Sequence, residues 1–134
     1  MNESALAASA VEELLRFDGP AKTFVRVATT AHERGGHAIE PGDRLWLAIT
    51  GANHDPEVFE EPAELRLDRQ PNPHIAFGGG AHFCVGAALA RVECRIALTR
   101  LFERHPRLRI TSDALSWSPT LVDRTLLALP VALA

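Results

Sequence analysis

Along residues 4–17 the apolar positions Leu6, Ala10, Val11, Leu14 and Leu15 recur at helical spacing, and Gly19-Pro20 supplies a stop. The pattern predicts a helix. KTFVRVATT follows, rich in β-branched residues, then AIEPGD with a Pro-Gly turn, then the apolar run LWLAIT ending at Gly51. This stretch predicts two or three strands, with His32 and His37 in a turn-rich segment between them. From Gly51 to Phe77 the prolines Pro56, Pro62, Pro71 and Pro73 forbid long regular structure, so a long ordered loop is expected. After Gly86 a second helix is predicted to about His105, with Ala88, Leu89, Val92, Ile96, Leu101 and Phe102 as its buried stripe and Pro106 at its end. LRI and TLLALPVAL read as short terminal strands. The whole is a mixed α/β (α+β) pattern without repeat or linker, so residues 1–134 are expected to form one unit.

Composition narrows the class. A 134-residue chain that is 46% hydrophobic is able to bury a core. Its net charge of −3 gives no bulk attraction to nucleic acid, and no nucleic-acid motif is present. The start has no basic, apolar leader, and the apolar tail from Leu126 to Ala134 is far shorter than the roughly 20 residues a bilayer span needs. A cytoplasmic protein with no membrane partner is therefore expected, with reduced thiols at Cys84 and Cys94 rather than a disulfide.

The densest chemistry surrounds Cys84. Gly78, Gly79 and Gly80 precede it and Gly86 follows just before the second helix. Glycines let backbone approach a flat ligand closely. A thiolate at a helix start meets unpaired N–H groups and the positive end of the helix dipole, which lower its pKa and suit it to binding a metal. Cys84 by itself reads as a small buried hydrophobe; its glycine-rich surroundings reverse that reading in favour of the ligand. Cys94, near the predicted buried stripe, keeps the hydrophobe role.

The segment FGGGAHFCVGAALAR, residues 77–91, resembles the haem-binding signature of the cytochrome P-450 family. Phe77, Gly78, Gly80, His82, Cys84 and Gly86 stand at its recurrent positions. EELLR carries Glu13 and Arg16 at the family's Glu-x-x-Arg spacing; three apart on a helix, they share a face. The resemblance implies haem b (iron protoporphyrin IX) with Cys84 as axial iron ligand, and a thiolate ligand favours O–O cleavage. It implies that Glu13 and Arg16 hold the scaffold, and that Arg26 and His82 meet the haem propionates, with Phe24 on the same strand face as Arg26. It also implies insertion of one oxygen atom into a small organic substrate. The electrons would come from a ferredoxin or flavodoxin-like donor docked on basic residues such as Arg91, Arg95, Arg100 and Arg104. A solvated helix face with Glu93 and Glu103 intermixed explains those arginines equally well. The remaining histidines show no metal-ligand spacing.

Two departures matter. GANHDPEVFEEP resembles the family's Ala-Asn-Arg-Asp-Pro stretch, but His54 stands where arginine is usual, so a weaker clamp around Glu13 and Arg16 is expected. The chain also corresponds to only the last third of a typical member and contains no Ala-Gly-x-Asp/Glu-Thr segment, the family's oxygen-activation motif. Two alternatives stand beside a truncated monooxygenase. One is a non-catalytic remnant with weak or no haem binding. The other is a redox-sensing thiol protein, which accounts for a lowered thiol pKa but leaves Phe77, His82 and the Glu13-Arg16 pair without a role.

Overall fold

The computed structural model describes residues 3–133, so Ala134 at the end of the apolar tail lies outside it. The first helix, α1 (Glu3–Asp18), ends where Gly19 donates its N–H to the Leu15 carbonyl at 3.1 Å. Its buried residues are polar as well as apolar. Val11 is buried, but so are Glu13 and Arg16, at 0% and 1% exposure, while Leu6 and Leu14 are open to solvent. The reason is the long proline-rich segment, which folds over the polar side of α1 and surrounds that ion pair.

Strand β1 (Thr23–Val27) pairs antiparallel with β4 (Arg44–Ala48), from Thr23 opposite Ala48 to Val27 opposite Arg44. Between them runs a small hairpin of β2 (His32–Arg34) and β3 (His37–Ile39). The expectation of a turn-rich segment at His32 and His37 is thereby corrected. Only Gly35 and Gly36, with φ of 56° and 77°, make the turn, because a two-residue hairpin loop of this hand needs positive φ at both positions. Glu40-Pro41-Gly42-Asp43 forms the expected Pro-Gly turn, closed by the Asp43 N–H on the Glu40 carbonyl at 3.1 Å.

LWLAIT is also only partly strand. Ile49 leaves the ladder and opens a short helix, α2 (Ile49–Asn53). Its N–H bonds the Lys22 carbonyl, beyond the end of β1, and its side chain is buried. Residues 54–79 then run without helix or strand, as the prolines require. A single 3₁₀ turn, Gly80–His82, leads into α3 (Ala87–Arg104).

The predicted stripe of α3 is corrected by its exposure: Leu89, Val92, Ile96, Leu101 and Phe102 all face outward, Leu89 at 62%. Helix α3 meets α1 through a different seam. Arg91 pairs with α1, and Cys94 and Leu98 line a recess with Val11, Leu14 and Leu15. Apolar residues occur around the whole circumference of α3, so periodicity alone did not select the face that packs.

The terminal segment returns to β1. Lys22 and Thr23 donate backbone N–H groups to the Val122 carbonyl, and Thr23 Oγ1 donates to the Leu121 carbonyl at 2.7 Å. Strands β5 (Arg109–Ile110) and β6 (Val131–Ala132) close the chain as a two-stranded ladder. Among the described residues no helix is long and apolar enough to cross a membrane.

Candidate functional site

The scaffold of the site is a buried polar knot. Arg16 donates to both carboxylate oxygens of Glu13, Nε to Oε2 at 2.7 Å and Nη2 to Oε1 at 2.8 Å. The rest of its guanidinium caps the carbonyls of Asn53, Pro62 and Glu64. Glu13 in turn accepts from the Arg66 backbone N–H at 2.9 Å, from Arg69 Nε at 3.1 Å to each oxygen, and from Asn72 Nδ2 at 3.1 Å. Burial raises the Glu13 carboxyl, but the bonds from Arg16, Arg66 and Arg69 outweigh it and hold the pKa at about 2. Two charges buried together are tolerable only with this degree of hydrogen-bond satisfaction.

The second cation of the knot is Arg69, which sequence reasoning missed. His54, expected to leave the clamp weak, is not part of it: its Nδ1 faces the Thr50 carbonyl and its ring lies 5.6 Å from that of Phe17. The expectation of a weakened clamp is therefore corrected. Arg69 also caps the Glu60, Glu61 and Glu64 carbonyls, folding the meander onto α1. The available signal was an arginine inside the proline-rich stretch with no acid three or four positions away to pair with it.

The cysteine loop sits at the other end of this scaffold. Gly78, at φ 74°, turns the chain beneath β1, where an added Cβ would lie 3.3 Å from the Phe24 ring. Gly80, at φ 64°, opens the 3₁₀ turn that carries His82. The Cys84 N–H bonds the Phe77 carbonyl at 3.0 Å, and its own carbonyl accepts the Ala87 N–H at the start of α3. Gly86 is the residue before α3, with the Cys84 sulfur 3.8 Å from where its Cβ would be. Cys84 is exposed, and both cysteines are free thiols.

Two adjoining recesses, about 470 and 410 Å³, share Phe24 and His82. The larger is lined by Arg26, Leu47, Ile75 and the backbone of Gly78 and Gly79; the smaller reaches Phe77 and Cys84. Arg26 and Phe24, two apart on β1, thus line one cleft as strand alternation requires. The donor set fits a haem: a thiol on the loop side, flat apolar and glycine-backbone walls, and two basic side chains able to meet carboxylates. Among the described residues, the Arg26 guanidinium bonds only the Val25 carbonyl, through Nη1, which leaves the rest of it open to a ligand.

Of the arginines expected on a donor-docking face, Arg91 is engaged with Glu12 and Arg100 with Glu103.

Comparison with known proteins accords with this geometry. The family model described as Cytochrome P450 matches residues 1–109. Polyketide biosynthesis cytochrome P450 PksS of Bacillus subtilis (strain 168) is 43% identical over 131 residues, which cover 96% of this chain and 32% of that protein. Nocardicin C N-oxygenase of Nocardia uniformis subsp. tsuyamanensis is 43% identical over 130 residues, covering 94% and 33%. The solved structure of the Bacillus subtilis PksS superposes with a TM-score of 0.94 at 41% identity, over 98% of this chain and 35% of that one. The chain spans about a third of the length of the curated relatives it matches.

Proposed function

The chain belongs to the cytochrome P450 family, and from that premise we propose that residues 1–134 act as one unit, the thiolate-side, haem-binding portion of a monooxygenase, with Cys84 as axial ligand of haem b. The observation that carries this is the pair of recesses joined at Phe24 and His82, one lined by the Cys84 thiol and the other by Arg26. In this proposal Arg26 and His82 hold the propionates. Phe77 and Gly86 frame the sulfur, Gly78 lets the loop lie close to the ring, and Glu13 with Arg16 keeps α1 and the meander in place. When bound, the haem supplies the chemistry that inserts one oxygen atom into a small organic substrate.

The protein's own residues orient the group and shape its approach. Arg26 and His82 set its rotation in the cleft, and the Cys84 N–H bond to Phe77 fixes the direction of the sulfur. Electrons come from a ferredoxin or flavodoxin-like donor, for which Arg95 and Arg104 on α3 are the candidate contacts. Cytoplasmic residence belongs to the same proposal, because a reducing compartment keeps the free thiols of Cys84 and Cys94 out of disulfides.

A second reading is a non-catalytic P450 portion with weak or no haem binding. One spectrum separates the two: the purified, haem-reconstituted chain, reduced and exposed to carbon monoxide, is expected to show the strongly red-shifted Soret band of thiolate ligation. Cys84→Ala should abolish that band and Cys94→Ala should retain it; equal spectra for the two variants would overturn the assignment of Cys84.

A further inference from the structure

Glu12, beside the buried Glu13, has no part in the knot described above. Its carboxylate faces the cysteine loop instead. Arg91 grips it with two prongs, Nε to Oε1 at 2.7 Å and Nη2 to Oε2 at 2.9 Å, and His74 Nε2 lies 3.0 Å from Oε2. The direction of the histidine bond follows from its other nitrogen. The Ala76 backbone N–H donates to His74 Nδ1 at 3.2 Å, so Nδ1 is the acceptor and Nε2 carries the proton. The His74 side chain is only 2% exposed, so it has little freedom to bond water instead.

Both partners of Glu12 touch Phe77. The Arg91 guanidinium carbon stands 4.6 Å from the Phe77 ring centre, and the His74 ring centre lies 6.4 Å from it. The carbonyl of the same Phe77 accepts the Cys84 N–H. A continuous path therefore runs from a carboxylate on α1, through two side chains against one aromatic ring, to the backbone of the cysteine.

We propose that Glu12 is a positioning residue for Cys84, holding Arg91 and His74 against Phe77 so that the cysteine amide and sulfur keep one orientation. The inference rests on the assignment of Cys84 as haem ligand but concerns the loop before any haem binds. The Glu12 carboxyl is held below its usual range, by the Arg91 bond first, with burial opposing and His74 assisting. It therefore stays ionised at neutral pH. Adjacent glutamates on α1 thus serve two ends: Glu13 folds the meander, and Glu12 sets the loop.

The test uses the full chain with Glu12→Gln and Arg91→Lys, folding being checked by far-ultraviolet circular dichroism. Lysine keeps the charge of Arg91 but loses the two-pronged contact and the flat face over Phe77. Amide hydrogen exchange without haem is expected to quicken at Cys84 by about tenfold in Glu12→Gln, and by less in Arg91→Lys, while the β1–β4 ladder keeps its parent rates. After haem reconstitution, the thiolate-type carbon monoxide band should fall as a share of bound haem in the same order. Unchanged exchange at Cys84, or equal acceleration in the ladder, would overturn the proposal, as would faster exchange at Cys84 with an unaltered thiolate band. If the parent chain shows no thiolate band, the haem assignment fails and the exchange data alone decide whether Glu12 positions the loop.

Discussion

Glu13 shows how one residue holds a segment that has no secondary structure of its own. Its carboxylate collects bonds from Arg16, Arg66, Arg69 and Asn72, so it is ionised down to about pH 2 in the folded state and titrates near 4.5 when unfolded. A depressed carboxylate pKa contributes stability that is fully present above the unfolded value and lost as pH falls toward the folded one. The protein is accordingly expected to lose up to about 3 kcal/mol of stability between roughly pH 5 and pH 2, a figure from about 1.4 kcal/mol per pKa unit. Urea unfolding across that window measures the loss, and Glu13→Gln should be less stable at pH 7 with a flatter acid limb. Removing one partner of such a pair strands the other charge, so Arg16→Ala is expected to cost about 3–5 kcal/mol. The helical spacing of Glu13 and Arg16 was legible in the sequence. That Arg69 completes the cluster was not, because its bond to Glu13 spans 56 positions and no local periodicity encodes it.

At the scale of elements, the loop from Gly78 to Gly86 depends on conformations that side chains resist. Gly78 combines a positive φ with the Phe24 ring 3.3 Å from a would-be Cβ, whereas Gly79 is extended and open. Gly78→Ala is expected to destabilise by about 1–3 kcal/mol. Gly79→Ala should stay within about 0.5 kcal/mol of the parent. Thermal or urea melts of the two variants check the contrast; equal costs would mean that backbone conformation at Gly78 is not what holds the loop. Helices α1 and α3 were legible as helices, with ends within a residue or two. Which of their faces pack was not, since both carry apolar residues away from the seam and the strongest contacts between them include the charged pair of Glu12 and Arg91.

For the whole molecule, the notable property is how few apolar side chains are buried. Among the described residues the buried hydrophobics are Val11, Ala28, Ile49, Phe59 and Ala87, while Leu89, Ile96, Phe102 and Trp46 are each more than half exposed. A groove of about 540 Å³ lined by Leu6, Leu14, Leu65, Leu67, Leu98 and Phe102 adds to this open apolar surface. Contiguous apolar surface of this kind drives association. The chain alone is expected to bind a hydrophobic dye such as ANS and to show concentration-dependent growth in light scattering. A dye-silent monomer at all concentrations would contradict the exposed faces.

Local sequence carried the two long helices α1 and α3, the turn at Pro41-Gly42 between strands, the irregular meander, and the family signature about Cys84. These follow from local rules: periodicity, proline and glycine geometry, and the spacing of a few chemical groups. The tertiary structure alone selects the burial of Glu13 and Arg16 on α1, the completion of the knot by Arg69 rather than by a residue at position 54, and the pairing of Arg91 with Glu12. Each of those outcomes is a contact between segments distant in sequence. Its free energy depends on which unpaired charges and carbonyls the fold brings together, and local pattern does not carry that information.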